Sequence, residues 1–491
     1  MKILTMLLLA AIFATSAVAA GATPRPSFDR KAWRDDYATL KRELEHSYSH
    51  LAWVASPASG VDLPSLERRT RLALEAARSD ADAAAALVSF VAGFHDGHFG
   101  PAVTPEPTGA GPEPPSRASD SDAGTACAAF GYAPVTRIGF SLPFESLEGF
   151  RMQSDGISRA FRSATIAVGL RHLGLVRIPR FRPAEYPTIC AAAWSKLHAA
   201  GATPSASDIQ DVIDVEWLRE LGERLAAFRT DHVDAILVDI GGNGGGNDVG
   251  EWSPRLFTSR EVHSAPLLMH TGPLGAKYMD EQLQGLNDAL AAHAGEAKIE
   301  SALRPAVDAF ERRKHASSSQ QPCDLSWVWR EQRSFDPAKC SGLVDAGFAS
   351  GAVDYLAPGS LPADAAAALY WPSIVDPMRG AWNGPVYLLT DSGTASAAEM
   401  FAALMRDSDI AKTVGVRTLG LGCGSMVESV PLTLPHSRLS FRVPNCVRLR
   451  ADGTDEVAGI SPDLPVLPVA NESARARAAR VLTVVDQDLR R

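Results

Sequence analysis

The chain has 491 residues, 46% hydrophobic and 21% charged, which is enough for two or three globular domains. Lysine and arginine number 48 against 57 aspartates and glutamates, a formal net charge of −9. With no basic block and no interleaving of basic with aromatic residues, that balance argues against nucleic acid and anionic membrane surfaces as partners.

The opening stretch MKILTMLLLAAIFATSAVAAG combines a lysine, an apolar run too short for a comfortable membrane span, and the small-residue pattern Ala17-Val18-Ala19. It reads as a cleavable secretory signal over residues 1–19. Export to the periplasm or beyond is therefore expected, without stable membrane insertion.

Residues 28–100 carry apolar positions every three to four residues in WRDDYATLKRELEHSYSHL, LPSLERRTRLALEAA and AAAALVSFVAGF, which predicts a small domain of three helices. Residues 101–170 follow as a loop and a small mixed segment. Within it, Thr104 to Gly124 is rich in Pro, Gly, Ser and Asp and reads as an exposed loop.

Residues 171–470 hold three nearly continuous apolar strand patterns, LGLVRIPRF from Leu173, VDAILVDI from Val233 and PVYLLTD from Pro385, each followed by a helical pattern. Buried strands alternating with helices predict an α/β core with a mostly parallel sheet covered on both faces. An insertion of about 262–382, carrying the amphipathic YMDEQLQGLNDALAAHAGEAKIESALRPAVDAFERR, separates the last two strands and predicts a lid or subdomain. Residues 471–491 read as a terminal helix with a basic solvated face.

The six cysteines fall as Cys127 and Cys190, Cys323 and Cys340, Cys423 and Cys446, with no C-x-x-C spacing for zinc or redox chemistry. In an oxidising compartment, three sequence-local disulfides are the default, although spacing alone leaves the connectivity open and buried free thiols remain the alternative.

Three stretches could carry chemistry. LVDIGGNGGGND follows a strand, but no Lys-Ser/Thr follows the glycines as a phosphate-binding loop requires, and Asn247 breaks the G-x-G-x-x-G spacing. Amides at Gly244 or Gly245, unobstructed by side chains, suit an oxyanion hole, the alternative being a purely structural turn. In FHDGHFG, a histidine suits a general base better than a metal ligand, because no further cluster with ligand spacing occurs in the chain, and a turn-capping role is the bland alternative. TDSGTASAAEM places Ser396 where a strand turns into a helix, as an exposed nucleophile at a helix amino terminus or as the small residue of a tight bend. No G-x-S-x-G elbow is present, and Glu399 stands where a β-lactamase pattern has lysine.

Together, GPVYLLTDSGTASAAEMFAALMRDSDIAKTVGVRTLGLG, ILVDIGGNGGG, LGLVRIPRF, FHDGHFG and DEVAGISPDLPV resemble the tail-specific, or carboxy-terminal processing, serine proteases, in the order that family has them. The resemblance implies a core similar to the ClpP and crotonase fold, with Ser396 matching the nucleophile of a T/S-A-S-A-x-E motif. Typical members place a lysine 25 residues after that serine, and Leu421 occupies the position here. The tricorn-like Ser/His/Glu branch uses instead a D-x-H histidine, matched by Asp96-Gly97-His98, and a glutamate before a G-[IV]-x-P-D motif, matched by Glu456 ahead of Gly459-Ile460-Ser461-Pro462-Asp463.

The resemblance thus implies an exported serine endopeptidase acting on a peptide or protein substrate without metal or cofactor. Ser396 is the expected nucleophile, His98 the base, Glu456 its orienting carboxylate, directly or through a polar bridge, and amides near Gly244, Gly245 and Ala397 the oxyanion hole. Asp455 is the alternative carboxylate. Two departures stand out: Gly241 replaces the arginine of the family's glycine-loop motif, and no PDZ module is evident in residues 131–170. A noncatalytic ligand carrier like the retinoid-binding proteins of the vertebrate eye, which share this resemblance, and an esterase-like hydrolase are the alternative readings.

Overall fold

The computed structural model describes residues 28–102, 122–199, 206–319, 323–339 and 342–491. The signal expected over residues 1–19 and almost all of the loop expected over Thr104–Gly124 lie outside them.

The amino-terminal spacing resolves into helices Arg30–Ser47, Leu63–Ala76 and Asp80–Ala92. Each begins where a short polar side chain takes up an orphan amide of the first turn: Asp29 from Ala32, Asp62 from Ser65 and Ser79 from Asp82. The stripe Trp33, Tyr37, Leu40 and Leu44 packs on Leu87, Phe90 and Val91. The same cluster also buries Leu434 and Phe441 from late in the chain, and the Asp36 carboxylate accepts the His436 and Ser437 amides at 3.0 and 2.7 Å. The helices are thereby bound to the rest of the molecule.

A seven-stranded sheet runs in the order Leu464–Pro465, Lys412–Gly415, Val386–Thr390, Ala235–Asp239, Arg171–Arg177, Ser163–Val168, Phe150–Ser154. The first five strands pair in parallel, and the last two add antiparallel at one edge. The three strands expected from the sequence are the adjacent centre of this sheet.

Pleating sends alternate residues to opposite faces. Ile236, Val238 and Leu388 pack with Leu225, Phe228, Phe401 and Met405, while Leu237, Tyr387 and Leu389 pack with Val481, Leu482 and Val485 of the terminal helix Ala474–Leu489. Each fully buried valine or leucine contributes about 1.5–3 kcal/mol, so the second face requires that helix.

The amphipathic run of the insertion forms two helices, Pro273–Ala292 and Ala297–Ser319. They break apart around Gly295, whose φ of 89° lies in the left-handed region. They pack on a small antiparallel sheet in which Pro266–His270 lies between Leu343–Phe348 and Cys446–Arg448. A strand from beyond the insertion thus completes its subdomain, and that pairing carries Arg448 into the molecule.

Two of the expected cysteine pairs are bonded, Cys127 with Cys190 and Cys423 with Cys446. The third expected pair involves Cys340, outside the described residues. Among the described residues, no helix is long and apolar enough to cross a membrane.

Candidate active site

Strands Ala235–Asp239 and Val386–Thr390 lie side by side, and the loops leaving their carboxyl ends are tied together. Gly242 donates its amide to the Asp391 carboxylate at 2.7 Å, Ala395 donates to the Asn243 carbonyl at 2.9 Å, and the Thr394 hydroxyl donates to the Ile240 carbonyl at 3.0 Å. The glycine loop is also held from behind. Asn243 Nδ2 donates to the Ile178 carbonyl at 2.9 Å, and Asn247 Nδ2 donates to Asp214 at 2.8 Å. Asp214 is 3% exposed, and burial pushes its carboxyl up to about 7. A side chain at position 241 would displace Ser141, since a β-carbon there would lie 2.6 Å from Ser141 Oγ.

Ser396 stands at the sharp turn into helix Ala397–Asp407, with φ 55° and ψ −124°. A side chain in that sparsely populated region costs of order 1–3 kcal/mol, and such turns present a hydroxyl outward at the head of a helix. Gly245 makes the turn possible, because a β-carbon on it would lie 2.6 Å from Ser396 Cβ and 3.0 Å from the Ala397 amide. Its own N–H donates to Asn243 Oδ1 at 2.9 Å, so Gly245 serves the turn by close approach and not as a free donor. The Gly244 and Ala397 amides have no acceptor among the described residues.

His98 is half-buried. Its amide donates to Asp96 Oδ1 at 2.8 Å, and Tyr48 donates to the other oxygen of that carboxylate at 3.0 Å. The imidazole Nδ1 lies 3.0 Å from the Leu421 carbonyl. A carbonyl only accepts, so Nδ1 carries the hydrogen and Nε2 presents its lone pair. Burial, aided by the charges of His50 and Arg448 and opposed by Asp96 and the Leu421 carbonyl, holds this imidazole below the ordinary histidine value.

The link between Ser396 and His98 is Glu399, which is fully buried. Its Oε2 accepts the Ser396 amide at 3.0 Å and the Leu421 amide at 2.8 Å, while Oε1 accepts Gly420 N–H at 2.7 Å and the Thr418 hydroxyl at 2.5 Å. One carboxylate oxygen therefore joins the serine turn to the residue whose carbonyl orients His98. Glutamate three residues after a serine at a strand-to-helix junction is the sequence signature of a capping box, which could have revealed the first half of this arrangement.

Glu456, 2% exposed, makes no hydrogen bond with His98. Its Oε2 accepts Arg448 Nε at 2.5 Å, and its Oε1 is buried with no hydrogen-bond partner among the described residues. The neighbouring Asp455 is engaged elsewhere: Oδ2 lies 2.7 Å from Nδ1 of fully buried His50, whose Nε2 lies 2.9 Å from the Cys423 carbonyl. Burial disfavours charge on His50, but Asp455 and Asp96 outweigh it and raise the group to about 9. Neither His50 nor Arg448 carries a sequence signal for such a role.

Residues 325–466 match the profile of peptidase family S41, a span that includes Ser396, Glu399 and Glu456 but not His98. No curated protein matches the chain. Among solved structures, mature CPAF complexed with lactacystin is 13% identical, with 94% of this chain and 99% of that one covered at a TM-score of 0.50. A serine-to-alanine mutant of CPAF is 15% identical, with 94% and 98% covered at a TM-score of 0.55. The chain therefore has the mixed α/β fold seen in CPAF, and its residues 325–466 are similar to peptidase family S41.

Proposed function

We propose that this protein is an exported serine endopeptidase that hydrolyses peptide bonds through an acyl-enzyme. The observation that carries the reading is the shared oxygen of Glu399, which binds the Ser396 and Leu421 amides while the Leu421 carbonyl holds His98 Nδ1. Nucleophile and base are thus referenced to one rigid point, as a unit acting together requires.

In this mechanism neutral His98 Nε2 takes the proton of Ser396 Oγ as the oxygen attacks the scissile carbonyl. The negative charge on the tetrahedral carbonyl oxygen is met by the Gly244 and Ala397 amides. The imidazolium then gives its proton to the departing amine, leaving an acyl-serine. Water attacks that ester with His98 again as base, and the serine is regenerated. Bonded Cys127–Cys190 and Cys423–Cys446 support an oxidising compartment, in keeping with export.

A fluorophosphonate probe tests the reading. An adduct on Ser396, abolished together with peptide hydrolysis in a folded Ser396→Ala variant, is expected. A folded wild-type protein that takes no label would point to a noncatalytic ligand carrier on the same fold, and label with ester but no peptide turnover would point to an esterase.

A further inference from the structure

A glutamate that completes a serine–histidine pair by contact would place a carboxylate oxygen on the imidazole. Here the nitrogen that such a carboxylate would take is on the Leu421 carbonyl, and the buried Glu456 carboxylate is on Arg448. Arg448 itself is 7% exposed at the end of strand Cys446–Arg448, and it makes a second bond, from Nη2 to the Gly422 carbonyl at 3.2 Å. Gly422 adjoins Leu421. Two residues further on, Gly424 lies against the face of His98, where a β-carbon would come within 3.0–3.1 Å of the ring atoms. The turn 420–424 therefore cradles the imidazole from two sides. Glu399 holds one end of that turn through Gly420 and Leu421, and Arg448 holds its middle.

We infer that Arg448 is a positioning residue for the base, and that Glu456 acts on His98 through Arg448 and not by contact. The inference rests on the reading of His98 as the base. Glu456 neutralises and orients the guanidinium, and the guanidinium fixes the turn whose carbonyl sets the tautomer of His98. The charged groups facing His98 are Asp96 from its own turn, His50 from the segment after helix Arg30–Ser47 and Arg448 from the strand. Of these, Arg448 is the cation that opposes imidazolium formation from the Glu456 side, and Glu456 tempers it.

A double-mutant cycle on the purified exported protein decides this, with kcat/KM followed against pH for wild type, Glu456→Gln, Arg448→Met and the double variant. Glu456→Gln alone should lose about tenfold, and in the Arg448→Met background less than about twofold, the coupling expected of residues that act in series. Arg448→Met should also move the acid limb of the profile to higher pH, which a merely structural residue would not do. A Glu456→Gln loss that persists undiminished without Arg448, or an unmoved acid limb, overturns the inference while leaving a peptidase. Arg448→Met leaves a buried carboxylate unpaired and can fail to fold, whereas the double variant removes both charges. Nitrogen-15 NMR of His98 then compares wild type with the double variant and needs no turnover. A slowly exchanging Nδ1–H in wild type that is lost in the double variant supports the inference, and one that survives overturns it, even if wild type hydrolyses nothing and the peptidase reading itself fails.

Discussion

Replacing Glu399 by glutamine removes charge from the point to which both the serine turn and the histidine turn are tied, while keeping the side chain's shape. The glutamine amide has one accepting oxygen, and its best placement keeps that oxygen on the Ser396 and Leu421 amides. The NH2 group then faces Thr418, whose hydroxyl can turn to accept, and the Gly420 N–H, which loses its acceptor. One hydrogen bond to a charged group is lost outright and two are weakened, a destabilisation of about 1.5–3 kcal/mol. Glu399→Ala forfeits all four bonds in a fully buried site and should exceed about 4 kcal/mol, the range in which single substitutions become exceptional. Urea unfolding measures the stability, and peptide hydrolysis measures the displacement of Ser396 relative to His98. The glutamine variant should lose roughly 10- to 100-fold in kcat/KM, because misplacement by as little as an ångström has that effect. A glutamine variant with wild-type stability and wild-type turnover would refute the claim that this carboxylate holds the two together.

Only neutral His98 accepts a proton, and burial, with the charges around it, holds the group below the ordinary value of 6.5, so activity should be full above that lowered midpoint and fall as pH drops through it. A pH–rate profile with its acid limb centred at or above the ordinary value would contradict the assignment, as would near-normal turnover in His98→Ala. Gly245→Ala should abolish turnover, since its β-carbon would lie 2.6 Å from Ser396 Cβ on a residue with φ 103°; unchanged fluorophosphonate labelling of that variant would show that the turn tolerates it. Replacing Cys423 and Cys446 together by serine opens a bridge spanning 23 residues and should cost about 3 kcal/mol, read as a fall in melting temperature relative to the oxidised wild type; an unchanged melting temperature would contradict it.

Local order was legible in the sequence. Apolar residues three to four apart marked the amino-terminal helices, unbroken apolar runs marked the three central strands, and the small residues around Ser396 marked the sharp turn, because each of these is decided within a few neighbouring residues. The candidate chemistry could be ordered along the chain for the same reason. Contacts between buried charges belong to the tertiary structure. His50 meets Asp455 across 405 positions, Glu399 reaches Leu421 across 22, and Arg448 stands on Glu456 because its strand pairs with Pro266–His270 from the insertion. Beyond the three-residue spacing of Ser396 and Glu399, nothing in the local pattern of glutamate, arginine and histidine says which partner each will have. Burial makes an unpaired charge so costly that the partner is whichever opposite group the packing of distant elements brings within reach, and that packing is a property of the whole fold.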